Sequence, residues 1–164
     1  MKALYAGSFD PITNGHMDII SQACGIFDVV AIGIAVNLDK KCMFTGITRE
    51  LLVVDAVKDL GLEMSKQVEI YHYNGMTVKY AKRIGANVLV RGLRAVSDFD
   101  SEFQMTQFNR RLLPGCNTVF LMPDETNFYL SSTAIRGIAL MGGDVTPFVP
   151  KCVVNQIMQN LFKP

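Results

Sequence analysis

Short apolar runs alternate along the chain with longer stretches in which apolar positions recur every three or four residues. Ala3-Leu4-Tyr5-Ala6 is such a run, and the turn-forming Gly7-Ser8-Phe9-Asp10-Pro11 that follows predicts a strand leading into a loop. From Gly15 to Phe27, the residues Met17, Ile20, Ala23, Cys24 and Phe27 share one helical face, with Thr13 or Asn14 available as the cap. Val29 to Val36 is apolar throughout with almost no alternation, the pattern of a parallel strand buried on both faces. A second helix is predicted from about Thr48, with Leu51, Leu52, Val54 and Val57 inward and Gly61 as its stop.

The rhythm then repeats. Val68 to Tyr71 reads as a third strand, Met76 to Ile84 as a helix ended by Gly85, and Asn87 to Val90 as a fourth strand. Ser97 to Leu112 is a longer helix stopped by Pro114-Gly115, and Thr118 to Met122 is a fifth strand. Ser131 to Met141 and Lys151 to Phe162 close the chain as helices. No linker, repeat or low-complexity stretch divides residues 1–164, so one domain is expected. Strands alternating with helices predict an α/β fold: a Rossmann-like open, five-stranded parallel sheet with helices on both faces. Ligands of such sheets bind outside the carboxyl ends of the strands, near the switch in strand order.

The segments that follow the predicted strands carry the polar chemistry. They are Gly7 to Pro11, Asn37-Leu38-Asp39-Lys40-Lys41, Asn74-Gly75, Arg91-Gly92-Leu93-Arg94 and Pro123 to Thr133. Among them are a helix N-terminus with free amides, a lysine pair and two arginines, which together suit a polyphosphate. Any one of these clusters alone is more simply a solvated loop. His16, just after Thr13-Asn14-Gly15, is open to two readings: a phosphate contact, or a histidine that only hydrogen-bonds at a helix start.

Sixteen basic against fifteen acidic residues give a formal charge of +1, which excludes the broad basic footprint of a nucleic-acid-binding protein. The longest uncharged aliphatic run falls far short of the roughly 18 residues needed to cross a bilayer, so no membrane span or leader is expected. Cys24, Cys42, Cys116 and Cys152 lie far apart beside only two histidines, a pattern of reduced thiols in the cytoplasm, with no disulfide framework or zinc site. Neither Gly-x-Gly-x-x-Gly nor Gly-x-x-x-x-Gly-Lys occurs, which argues against a dinucleotide oxidoreductase and a P-loop ATPase.

Two motifs carry a resemblance. Gly7-Ser8-Phe9-Asp10-Pro11 with Thr13-Asn14-Gly15-His16 is similar to the first signature of the nucleotidyltransferase superfamily, and Leu130-Ser131-Ser132-Thr133-Ala134-Ile135-Arg136 resembles the second. Arg91 to Phe99 followed by Glu102, together with Lys40-Lys41 and Met43-Phe44, resembles the bacterial phosphopantetheine adenylyltransferase family over nearly the whole chain. The resemblance implies adenylyl transfer from ATP to 4'-phosphopantetheine, giving dephospho-coenzyme A and pyrophosphate, with Mg2+ as the helper ion. It implies that His16 and Lys40 are catalytic, and that Ser8, Lys40, Thr77 and Arg91 hold phosphopantetheine. It assigns ATP to Ser8, Phe9, His16, Gly92, Leu93, Arg94 and Glu102, and to Asn127, Phe128, Tyr129, Leu130, Ser131, Ser132 and Thr133. A cytoplasmic homohexamer inhibited by coenzyme A is implied as well.

Three positions depart from the family pattern: Ser8 where threonine is common, Ser101 where tyrosine is, and Cys42 where proline is. Gly61 to Val68 is longer than is typical, which loosens the register of Thr77. Transfer to nicotinate mononucleotide, cytidylyl transfer to a phospho-alcohol, and a binding module without chemistry remain the alternatives.

Overall fold

The sheet order is β3-β2-β1-β4-β5 in the computed structural model, which describes residues 1–36, 42–94 and 96–161. The strands are β1 (Lys2–Gly7), β2 (Val29–Ala35), β3 (Val68–Tyr73), β4 (Val88–Gly92) and β5 (Asn117–Leu121). The helices are α1 (Asn14–Cys24), α2 (Gly46–Lys58), α3 (Leu62–Gln67), α4 (Thr77–Arg83), α5 (Val96–Leu112), α6 (Ser132–Leu140) and α7 (Lys151–Leu161). Every neighbouring pair of strands is parallel, so all five carboxyl ends share one edge. The chain winds from β1 through β2 to β3, then crosses back to place β4 on the other side of β1. Loops leaving β1 and β4 therefore diverge, and a crevice opens between them.

Burial of both sheet faces explains the strand composition. Along β1, Ala3 and Tyr5 point into one core with Ile20, Val53 and Val153, while Leu4 and Ala6 point into a second with Val78, Tyr80 and Leu89. Alternation on a strand buried twice leaves no position for a charge, hence the unbroken runs.

Several expectations shift. The α1 cap is Thr13, and the helix stops at Gly25, short of the predicted Phe27. Within α2 the buried apolar positions are Leu52, Val53, Ala56 and Val57; Leu51 is exposed and Val54 only half-buried. Gly61 does not end α2, which closes at Asp59, but instead opens the short helix α3 with a φ of 89°. That helix was not anticipated, because none of its residues is buried and no apolar face announces it. Arg91 and Gly92 belong to β4, not to the loop beyond it, and His72 lies within β3. The predicted loop Asn37 to Lys41 lies outside the described residues.

Candidate active site

A cavity of about 600 Å3 occupies the crevice at the switch point. Its floor is the loop after β1, whose conformation is unusual. Phe9 has a φ of 46°, a left-handed backbone that a non-glycine residue adopts only when its surroundings impose it. The surroundings here are aromatic. The Phe9 ring is 1% exposed, meeting Tyr5 edge-on at 5.4 Å and His16 at 5.1 Å. Gly7 makes room for it: a Cβ there would stand 3.2 Å from the ring.

His16 sits in the first turn of α1 and completes a reciprocal cap. The His16 N–H donates to Thr13 Oγ1 at 3.3 Å, and the Thr13 N–H donates to His16 Nδ1 at 3.0 Å. An Nδ1 that accepts a backbone hydrogen bond cannot carry the proton, so the neutral ring holds it on Nε2. Burial, reinforced by the nearby Arg94 charge, pushes the His16 pKa down to about 4. The imidazole is thus a neutral donor lining the cavity. The reading of His16 as a histidine that hydrogen-bonds at a helix start holds, and the same cap fixes the ring where it lines the cavity.

Two helix N-termini, those of α1 and α6, open onto the same cavity, and neither has an acidic residue in its first turn. Their dipoles therefore favour an anion. The hydroxyls of the second motif are already engaged. Ser131 Oγ accepts from the Ala134 N–H at 3.1 Å, Ser132 Oγ donates to the Pro11 carbonyl at 2.8 Å, and Thr133 Oγ1 accepts from Arg136 at 3.2 Å. The Ser132 bond ties α6 to the loop after β1, and with the Ala134 amide taken by Ser131 the Ser132 and Thr133 amides are the first-turn donors left for a ligand.

Three arginines line the cavity, each held by a partner. Glu102 accepts Arg91 Nε at 2.8 Å and Nη2 at 2.5 Å, while Nη1 donates to the Ala6 carbonyl at 2.9 Å. That bidentate pair holds the Arg91 guanidinium above its already high pKa. Arg94 is exposed and bonds Asp98 at 3.2 Å and the Leu130 carbonyl at 3.2 Å. Arg136 donates to the Asp10 carbonyl at 2.5 Å and lies 3.6 Å from the Asp10 carboxylate. Asp10 is 2% exposed and also accepts the Met43 and Phe44 amides at 2.8 and 2.9 Å, which ties the segment before α2 to the loop after β1.

The opposite wall is the segment after β5. Asp18 accepts the Asp124 N–H at 2.5 Å, and Gln22 donates to the Met122 carbonyl at 2.9 Å, so two residues of α1 latch this segment across the crevice. A second cavity of about 650 Å3 adjoins the first and shares Ala6 and Arg91 with it. Its wall is mostly apolar, including Leu4, Met76, Met105 and Phe108, and Thr77 lies there with its hydroxyl 2.9 Å from Tyr73 Oη.

Of the residues singled out from the sequence, Ser8, His16, Arg91, Gly92, Arg94 and Glu102 line the first cavity. Asn127, Leu130, Ser131, Ser132 and Thr133 line it too. Phe9 and Leu93 are buried beside it, while Phe128 and Tyr129 are exposed and do not line it. Lys40 lies outside the described residues. Asp10, Thr13, Asp18, Arg49 and Arg136 were not singled out for the site; three of them stood in the quoted motifs. Of the departures, Cys42 lines the cavity, whereas Ser101 is exposed and donates to the Asp98 carbonyl at 3.0 Å, away from the Arg91–Glu102 pair.

Residues 4–138 match the cytidylyltransferase-like family. The phosphopantetheine adenylyltransferase of Methylacidiphilum infernorum is 41% identical over 162 residues, covering 99% of this chain and 92% of the relative. That of Finegoldia magna is 44% identical over 158 residues, covering 96% and 94%. Among solved structures, Plasmodium falciparum nicotinic acid mononucleotide adenylyltransferase in complex with NaAD superposes with a TM-score of 0.73 over 98% of this chain and 96% of that one. At 13% identity this is a likeness of fold alone. The chain belongs to the cytidylyltransferase-like family and, within it, to the phosphopantetheine adenylyltransferases.

Proposed function

We propose that this enzyme transfers the adenylyl group of ATP to 4'-phosphopantetheine, forming dephospho-coenzyme A and pyrophosphate in coenzyme A biosynthesis. The observation that carries the reading is the pair of adjoining cavities that share Arg91. The polar one, fed by two helix N-termini, suits a nucleotide polyphosphate; the apolar one suits a long, weakly polar arm whose phosphate ends at Arg91.

The chemistry needs no strong base. The acceptor is itself a phosphate, ionised near neutral pH, that attacks the α-phosphorus in line as pyrophosphate leaves. What the protein supplies is alignment and charge stabilisation. In this reading His16 Nε2–H and the amides after β1 stabilise the α-phosphate, Arg91 holds the acceptor, and Arg94 and the α6 N-terminus receive the leaving pyrophosphate. Lys40 is assigned to the acceptor and the transition state on the resemblance.

Among the described residues no three His, Cys, Asp or Glu side chains converge as a metal cage, and Asp10 is committed to two amides. In this reading Mg2+ arrives with ATP and is held chiefly by its phosphates. A cytoplasmic homohexamer belongs to the same proposal, supported by the exposed apolar side chains Phe99, Phe103, Phe108 and Leu112 of α5. Coenzyme A carries both substrate moieties and would span both cavities, which supports it as a feedback inhibitor.

The test is pyrophosphate release with ATP, magnesium and phosphopantetheine, beside nicotinate mononucleotide and a no-acceptor control, with the product's mass measured. Release with phosphopantetheine alone, and a product of dephospho-coenzyme A mass, is expected. Release only with the other acceptor, or none from folded protein, overturns the reading.

A further inference from the structure

Arg49, on the first turns of α2, is 2% exposed beneath the loop that follows β1. Burying a guanidinium is costly, and this one spends its contacts on backbone. Its Nη1 donates to the Ser8 carbonyl at 2.6 Å and the Ala35 carbonyl at 3.1 Å, joining the ends of β1 and β2. Its Nε has no hydrogen-bond partner among the described residues.

The Ser8–Phe9 peptide is trans, so its carbonyl and its N–H point in opposite directions. A carbonyl pulled down onto Arg49 sends the Phe9 N–H up, towards the side where Ser8 lines the cavity. Among the described residues that N–H donates to no backbone carbonyl. The strained φ of Phe9, 46°, is the conformation this arrangement demands, held from above by the buried ring and from below by Arg49.

We infer that Arg49 is a positioning residue for adenylyl transfer: by gripping the Ser8 carbonyl it aims the Phe9 amide at the nucleotide phosphate. The inference rests on the function proposed above. It differs from a purely structural role in that the consequence is read at an amide, not in folding.

The experiment compares wild type, Arg49→Met and Arg49→Lys. Methionine is of similar length but has no donor, whereas lysine keeps a charged donor on a side chain of similar reach. Loss of one preorganised donor lowers kcat by about a hundredfold in the Met variant, with the KM for the acceptor unchanged, and lysine restores at least about tenfold of that. In parallel, adding ATP with magnesium moves the Phe9 amide proton downfield in the wild type and leaves it unmoved in Arg49→Met. A folded Arg49→Met with kcat within about threefold of wild type, or a lysine variant no better than methionine, overturns the inference. Should Arg49→Met fail to fold, the wild-type amide decides: a Phe9 proton that ATP does not shift refutes the inference. Wild-type protein that binds ATP and shifts this amide but releases no pyrophosphate would sink the proposed function, and with it the part of Arg49 in adenylyl transfer, while the loss of the shift in Arg49→Met would still show that Arg49 aims the Phe9 amide.

Discussion

Replacing His16 by alanine takes away the Nε2–H that the first turn of α1 presents to the cavity. A neutral imidazole whose Nδ1 is committed to the Thr13 amide can only donate, and its ring is fixed before any ligand arrives. Such a donor, aimed at charge that develops in the transition state, contributes about 2.7–4 kcal/mol, so kcat should fall roughly 10²- to 10³-fold. A second consequence comes from the pKa of about 4. Between the ordinary value near 6.5 and about 4, the unfolded chain binds a proton that the folded chain refuses, so stability is lost as pH falls through that window. The loss amounts to at most about 3 kcal/mol, and His16→Ala should abolish it. An acid limb of turnover near pH 6 belongs instead to the acceptor phosphate and should survive in the variant. Steady-state turnover, urea unfolding at neutral and acid pH, and long-range 1H–15N correlation spectra of the imidazole measure these three effects. Turnover within tenfold of wild type in a folded His16→Ala, or a ring protonated on Nδ1 at neutral pH, would refute the reasoning.

Other perturbations separate the parts of the site. Glu102→Ala leaves Arg91 tied only to the Ala6 carbonyl, and the KM for the acceptor should rise about tenfold by the loss of a charge-assisted pair; an unchanged KM counts against Arg91 as the acceptor's holder. Asp18→Ala removes one of the two contacts by which α1 latches the segment after β5, so the KM for ATP should rise several-fold while that for the acceptor stays put; equal rises in both would mean a general loosening. Gly33→Ala places a Cβ 2.9 Å from Leu4 Cδ1 and 3.1 Å from Tyr73 Cε1. Overpacking there should cost about 1–3 kcal/mol in denaturant unfolding, and an unchanged midpoint would show that the sheet can yield.

Most elements that were legible in the sequence have a buried face, whereas α5, none of whose described residues is buried, was legible from its length and its stop at Pro114-Gly115. β1 and β2 are read from unbroken apolar runs because both of their faces are covered, and α1 from Ile20, Ala23 and Cys24 because it lies on the sheet. Where that pressure is absent the reading can slip. The short helix α3 buries nothing, and the inward face of α2 was read at Leu51 and Val54 instead of Val53 and Ala56, because Leu51, Val53 and Val54 are chemically alike and only packing distinguishes them. Arg49 was invisible for the same reason, since an arginine on an amphipathic helix reads as its solvated side.

The order of residues in the chain by itself determined the alternation of strands and helices, the two signature motifs, and the edge of the sheet on which the ligand chemistry had to lie. Each follows from local periodicity or from residues close together in sequence. Tertiary structure alone decided what those residues do for one another. The Ser132 hydroxyl binds the Pro11 carbonyl and so ties α6 to the loop after β1, while the Ser131 and Thr133 hydroxyls bond within α6 itself, to the Ala134 amide and to Arg136. Arg91 meets Glu102 eleven positions away, Arg136 meets Asp10 across the length of the domain, and His16 becomes a neutral donor through burial and the Arg94 charge. Hydrogen-bond partners, burial and charge proximity are distances in space, and a pattern along the chain carries them only where neighbours in sequence are also neighbours in the fold.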